Sequence, residues 1–268
     1  TLQRLQSEIS IKDLIGGGHD FEASVGSATT AILAGAKLKV LSIAGEKLPW
    51  SIIARPEIKS VQNLKGKRIG LSSLGSVVQQ ASMIALKNHG LDPSKDVIWM
   101  AAGGAEAAVK MILVGSIDAA VLSGAYILQL EKQGYNTVIN LGDELKGVTN
   151  GLVTHDKFLQ ERPQTVKKVL RGLLKGQKFY VSQVPKARAY YLKFAKENGD
   201  LDEALATELY DREAKQMNDS GYISDDVLRT WIGYLKVEAQ VDRDVPLSEV
   251  YDLSIIKQVS QELKDWKP

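Results

Sequence analysis

Three short stretches place hydroxyl side chains beside glycine where an apolar run gives way to a helical pattern. They are Val25-Gly26-Ser27-Ala28-Thr29, Ser72-Ser73-Leu74-Gly75-Ser76 and Ser123-Gly124-Ala125-Tyr126. Free N–H groups at a helix start, with Ser or Thr hydroxyls nearby, hold carboxylate, sulfonate, phosphate or polar neutral groups without any covalent step. In open parallel sheets such turns gather beyond the carboxyl ends of the strands, so the three can line one cleft. The candidate ligand contacts are Ser27, Ala28 and Thr29, then Ser73, Gly75 and Ser76, then Ser123, Gly124 and Tyr126. Each hydroxyl also reads as an ordinary helix cap, and Tyr126 as a packing residue. The set of three turns favours a ligand.

Trp50, closing the run Gly45-Glu46-Lys47-Leu48-Pro49-Trp50, reads equally as a wall of the cleft or as an aromatic packed at a domain junction. Lys47 reads as a solvated lysine that is also able to meet an anion. Thr149 and Asn150 fall where the chain returns to its first lobe and are candidates for a cleft floor or hinge.

Catalytic patterns are missing. There is no Gly-x-Ser-x-Gly elbow, His-Glu-x-x-His, Walker loop or complete Gly-x-Gly-x-x-Gly. His19, His89 and His155 lack metal-ligand spacing, and Asp225 with Asp226 sits where a helix macrodipole explains both. The expectation is binding without catalysis, metal or cofactor.

The elements that would position the turns follow from periodicity. From Lys67 to Leu141 short apolar runs alternate with amphipathic segments. Strands are expected at Arg68–Leu71, Val97–Met100, Ile117–Leu122 and Thr137–Leu141, with helices at Gly75–Asn88, Ala105–Val114 and Ala125–Gln133. This alternation implies an α/β fold with mainly parallel sheets flanked by helices.

At an offset of 98 residues the chain resembles itself: Glu8 meets Glu106, Lys12 meets Lys110, Gly17 meets Gly115, Asp20 meets Asp118 and Gly26 meets Gly124. Ile11, Leu14 and Ile15 meet Val109, Ile112 and Leu113, so the apolar helix face repeats too. Two lobes are expected, residues 1–50 with 148–268 and residues 51–147. The counterpart of Lys67–Met100 would lie ahead of residue 1, so the first lobe is expected to lack an N-terminal strand and helix. After a strand at Val148–Thr154 the chain reads as helical, with helices at about Lys186–Asn198, Asp202–Arg212 and Ser224–Val237. This helical tail is expected to pack on the first lobe.

Composition bounds the partners. Lys and Arg total 34 against 32 Asp and Glu, a net charge of +2 with both signs scattered, which disfavours nucleic acid. A 44% hydrophobic content over 268 residues suffices for buried cores and excludes disorder. No run reaches the roughly 18 to 20 apolar residues of a membrane span. Residues 1–11 lack signal-peptide architecture, which is compatible with a leader already removed. The absence of cysteine excludes disulfides and thiolate chemistry and suits an exported bacterial protein.

Several stretches carry a family resemblance: Asp20-Phe21 through Thr29, Ile53-Ala54-Arg55-Pro56, and Ser60-Val61-Gln62-Asn63-Leu64-Lys65-Gly66-Lys67-Arg68-Ile69-Gly70. From about Leu5 to Gly176 the chain resembles the substrate-binding proteins of ABC importers, in the branch of nitrate, sulfonate, taurine and thiamine-pyrimidine binders. The resemblance implies a type II periplasmic-binding fold whose two lobes close on a small anionic or polar ligand. It also implies a monomeric, periplasmic or otherwise extracytoplasmic protein that delivers the ligand to a membrane permease. Ser27, Ala28, Thr29, Ser73, Gly75, Ser76, Ser123 and Gly124 carry over as binding positions. The alternatives are an enzyme on the same fold, of the thiamine-pyrimidine synthase or menaquinone-pathway lyase kind, and a sensory ligand-binding domain. The former enzyme is expected to carry a cysteine-rich motif, and this chain has none.

Overall fold

The structure, a computed structural model, describes residues 7–148, 150–198 and 202–268. The chain runs α1 (Ser7–Gly16), β1 (Phe21–Ser24), α2 (Val25–Leu33), β2 (Leu38–Ile43), β3 (Trp50–Ala54), β4 (Lys67–Leu71), α3 (Val77–Asn88) and β5 (Val97–Ala101). It continues with α4 (Ala105–Leu113), β6 (Ala119–Ser123), α5 (Ala125–Lys132), β7 (Asn136–Asn140), α6 (Leu141–Glu144), β8 (Asn150–His155) and α7 (Asp156–Glu161). Helices follow: α8 (Pro163–Ser182), α9 (Val184–Asn198), α10 (Glu203–Ala214), α11 (Asp225–Glu238), α12 (Leu247–Val250) and α13 (Ser254–Glu262).

The described residues divide into two units. Unit 1 holds those up to Glu46 with Gly147–Tyr191 and Arg212–Pro268; unit 2 holds Lys47–Lys146 with those of Leu192–Asp211. The sequence places these divisions at 50/51 and 147/148 and assigns all the C-terminal helices to the first lobe, whereas the second half of α9 and most of α10 group with unit 2.

In unit 1 the sheet order is β1-β8-β2, with β8 antiparallel to both neighbours. Leu38, Val40, Leu41 and Ile43 of β2 are at most 1% exposed, the near-continuous burial of a strand covered on both faces. Helix α2 packs on β2 and β8, α12 and α13 pack on β2, and α8 packs on α13. Pro163 opens α8 at its first turn, where the missing N–H costs nothing. Val166, Leu170, Leu174 and Gln177 then form its buried stripe at spacings of four and three.

In unit 2 the order is β5-β4-β6-β3-β7. β4 runs parallel to β5 and β6, while β3 runs antiparallel to β6 and β7. Ile53, Ala108, Ile112, Ile117, Ala120, Leu122, Ile127 and Leu130 form a core under α4 and α5. At the N-terminal end of β4, Arg68 donates from Nε and Nη2 to the Asp118 carboxylate at 3.0 and 2.9 Å.

The α/β class agrees with the sequence reading, but instead of two mainly parallel sheets unit 2 has a mixed sheet and both pairings in unit 1 are antiparallel. Both strands that carry the chain between units, β3 and β8, insert against the direction of their neighbours. Local periodicity does not encode the direction of such a long-range insertion.

Candidate ligand-binding site

Within unit 2 the parallel pairing of β4 with β6 brings their carboxyl ends side by side. The Ser72–Ser76 turn and the Ser123-Gly124 turn therefore emerge together. Antiparallel pairing adds Trp50, the first residue of β3, directly opposite Ser123. Trp50, Ser73, Ser123, Gly124 and Tyr126 are half-buried and Gly75 is exposed. Gly124 has φ +58° and Gly75 φ +75°, conformations that suit glycine and let each turn fold tightly into its helix.

The hydroxyls are not equivalent. Ser76 is the N-cap of α3: its Oγ accepts from Gln79 N–H at 3.4 Å and donates to the Ser73 carbonyl at 2.8 Å. The Gly75 N–H is bonded by Gln79 Oε1 at 2.6 Å. The N-termini of α4 and α5 have glycine caps, Gly104 and Gly124, and no side-chain cap. Tyr126 packs its ring against the unit 2 core. Lys47 pairs with Asp143 at 3.1 Å.

The sequence reading passes over three neighbours of these turns. Gly103 lies beside the β4 turn, its N–H donating to the Ser72 carbonyl at 3.0 Å, and Gly104 follows as the cap of α4. Asn140 pairs across β3 with Ser51. The Gly-Gly pair ending an apolar run was the available signal.

Within unit 1 the corresponding end of the sheet joins Ser24 and Asn150, and Ser27 follows in the first turn of α2. Ser24 pairs with Asn150 across β1 and β8, and the Asn150 carbonyl accepts from Ala44 N–H at 2.9 Å. Ser27 is half-buried and Asn150 exposed. Ala28 and Thr29 lie fully buried inside unit 1, and the Thr29 hydroxyl donates back to the Val25 carbonyl at 2.8 Å. Thr149 lies outside the described residues. The N-cap of α2, Ser24, makes no side-chain cap bond. Just before it, Glu22 Oε1 accepts from the N–H groups of Ala23 and Ser24 at 2.9 and 3.0 Å, and Ser10 Oγ donates to Oε2. Burial opposes ionisation of Glu22, but these hydrogen bonds outweigh it and hold the carboxyl below its ordinary pKa.

Among the described residues no cluster of three or more His, Cys, Asp or Glu side chains is placed to hold a metal. No helix among them is long and apolar enough to cross a membrane. Chemically, both units offer backbone N–H groups, hydroxyls and amides at the carboxyl ends of strands, suited to holding a polar or anionic group.

Residues 10–187 match the NMT1/THI5-like family. No curated protein matches the chain. Among solved structures, the periplasmic sulfonate-binding protein SsuA from Methylobacillus flagellatus KT superposes with a TM-score of 0.76 at 15% identity, over 98% of this chain and 83% of that one. The alkanesulfonate-binding protein SsuA from Xanthomonas axonopodis pv. citri, bound to MOPS, gives 0.73 at 18% identity over 91% and 84%. The desulfurization enzyme DSZB gives 0.68 at 12% identity over 90% and 85%. At these identities the likeness establishes the fold, that of periplasmic binding proteins. By the match over residues 10–187, the chain belongs to the NMT1/THI5-like family.

Proposed function

We propose that this NMT1/THI5-like chain is a solute-binding component of an ABC importer, working outside the cytoplasm as a monomer and handing a small anionic or polar ligand to a membrane permease. The observation that carries the reading is the pairing of Ser/Gly turns with uncapped helix N-termini at the carboxyl ends of strands, α2 in unit 1 and α5 in unit 2. The sulfonate-binding neighbours agree with it, because a sulfonate is the kind of group such N–H arrays accept.

The ligand contacts are assigned to Ser27 and Asn150 in unit 1, and to Trp50, Ser73, Gly75, Ser123 and Gly124 in unit 2. Ala28, Thr29, Ser76 and Tyr126 are assigned supporting roles, since their side chains are buried, already bonded or, for Tyr126, packed on the unit 2 core. The test is calorimetric titration of the Ser27→Ala, Ser73→Ala double variant. A loss of about tenfold or more in affinity, with unchanged folding, supports the assignment; unchanged affinity returns both hydroxyls to structural roles.

A second reading is an enzyme on the same fold, favoured by the DSZB likeness and by the breadth of the family. One DSZB structure replaces a cysteine by serine and holds biphenyl-2-sulfinic acid. This chain has no cysteine to play such a part. Mass spectrometry of the bound ligand after prolonged incubation separates the readings: recovery intact fits transport, and conversion fits an enzyme.

A further inference from the structure

The near-even charge of the whole chain conceals one uneven segment. Of the 34 Lys and Arg, nine lie between residues 163 and 198, the span of α8 and α9, with one of the 32 Asp and Glu. The remainder of the chain therefore carries 25 basic against 31 acidic residues. The net charge of +2 is a cationic pair of helices set against an acidic remainder.

On α8 much of that charge is used within unit 1. Glu262 pairs with Lys167 at 2.7 Å and with Arg171, Lys178 stands 3.8 Å from Asp219, and Lys175 lies over the Trp266 ring at 5.2 Å. On α9 the pattern differs. Lys193 meets Glu197 at 3.9 Å with both side chains largely exposed, a pair of little strength. Lys186 and Lys196 form no ion pair among the described residues.

The exposure follows from the residues of the helix. Ala187 and Ala195, two small side chains eight positions apart, are buried. On the other side Lys186, Tyr190, Lys193, Phe194 and Glu197 recur at spacings of three and four along one continuous helix, all exposed. Tyr190 is 69% and Phe194 49% exposed. Tyr190 also meets Phe179 of α8 edge to face, with ring centroids 6.1 Å apart, so the aromatic patch extends onto α8.

Aromatic rings flanked by lysines on a convex helix face suit a lipid surface. Anionic headgroups attract the ammonium groups, while the rings enter the boundary beneath and the lysine stems lie along it. A convex face offers no groove to an extended peptide or a nucleic-acid strand. A second copy is disfavoured too, because the face would bring Lys186 and Lys193 against their own equivalents.

We propose that the outward face of α9, formed by Lys186, Tyr190, Lys193 and Phe194 with Phe179 beside them, is a peripheral docking surface for anionic phospholipid membranes. Attachment of this kind is reversible and weakens with salt. The face shares no residue with the Ser/Gly turns and acts with or without bound solute, so it stands or falls apart from the importer reading.

The test is co-sedimentation with vesicles of equal parts phosphatidylglycerol and phosphatidylcholine, beside vesicles of phosphatidylcholine alone. The chain is expected to partition about tenfold or more better onto the anionic vesicles, and less so as salt is raised. Lys186→Gln with Lys193→Gln, and separately Tyr190→Ser with Phe194→Ser, should each weaken that partition about tenfold at unchanged Tm. Lys87→Gln with Lys132→Gln, at exposed lysines of unit 2, should leave it within about twofold. Should an α9 double variant melt lower than wild type, Lys186→Gln alone decides, with an expected loss of about fivefold. No partition onto anionic vesicles, no loss in the α9 variants, or an equal loss in the unit 2 pair overturns the proposal. Self-association that Tyr190→Ser with Phe194→Ser abolishes, without vesicle binding, gives the face to a second copy and overturns it as well.

Discussion

Asp118 accepts from the Arg68 backbone N–H at 2.9 Å as well as from both arms of its guanidinium, and that guanidinium holds the Asp118 carboxyl at a pKa of about 2. The folded-state pKa is depressed from 3.8, so the contribution to stability is complete above about pH 4 and is lost as the pH falls towards about 2. Asp118→Asn is expected to cost about 2 kcal/mol in denaturant melts at neutral pH. The difference from wild type should shrink as the pH falls from about 4 through about 2, and a penalty undiminished over that range would contradict the ion-pair account. Ser76 makes a contrasting case. Its hydroxyl caps α3, so Ser76→Ala should cost about 1 kcal/mol of stability while leaving ligand affinity within about twofold. A large loss of affinity with unchanged melting would instead make Ser76 a ligand contact.

Among the elements, β8 is the most constrained. A Cβ on Gly151 would overlap the Ser42 carbonyl oxygen of β2 and crowd Val25 of α2. Gly151→Ala is therefore expected to force β8 away from β2 and cost about 3 kcal/mol, read as a lowered unfolding midpoint. Gly70→Ala meets mainly the Ile117 side-chain tip and should cost clearly less. The alternating elements from β4 to β7 were legible because each combines a local apolar period with glycine punctuation, and their ends fall within about two residues of expectation. The antiparallel insertion of β3 and β8 was not legible, since pairing direction depends on residues far apart in the chain, such as Ala54 with Ala119 and Leu38 with His155. Thr29 looked like a site hydroxyl because it stands near a helix start. In the fold it lies one turn into α2, where a threonine hydroxyl reaches the carbonyl four residues back. Ser27, two residues earlier, is half-buried.

At the scale of the whole molecule, each of the two units presents hydroxyls, glycines and a helix start without a side-chain cap at the carboxyl ends of its strands. Nothing among the described residues assembles a metal centre, and the sequence contains no thiol. These features fit recognition of a small polar or anionic solute by preformed dipoles, with the surrounding helices supplying the rigid frame. The central claim is that such a solute binds and leaves unchanged, and a thermal-shift screen tests it most directly. The panel holds alkanesulfonates, taurine, carboxylates, nitrate and phosphorylated or neutral pyrimidines. At least one member should raise Tm in a saturable way, by about 2.7 kcal/mol of added stability at a hundredfold excess over Kd. The same compound should lose that effect in the Ser27→Ala, Ser73→Ala double variant. A flat response across the whole panel, or an equal shift in the double variant, would contradict the account.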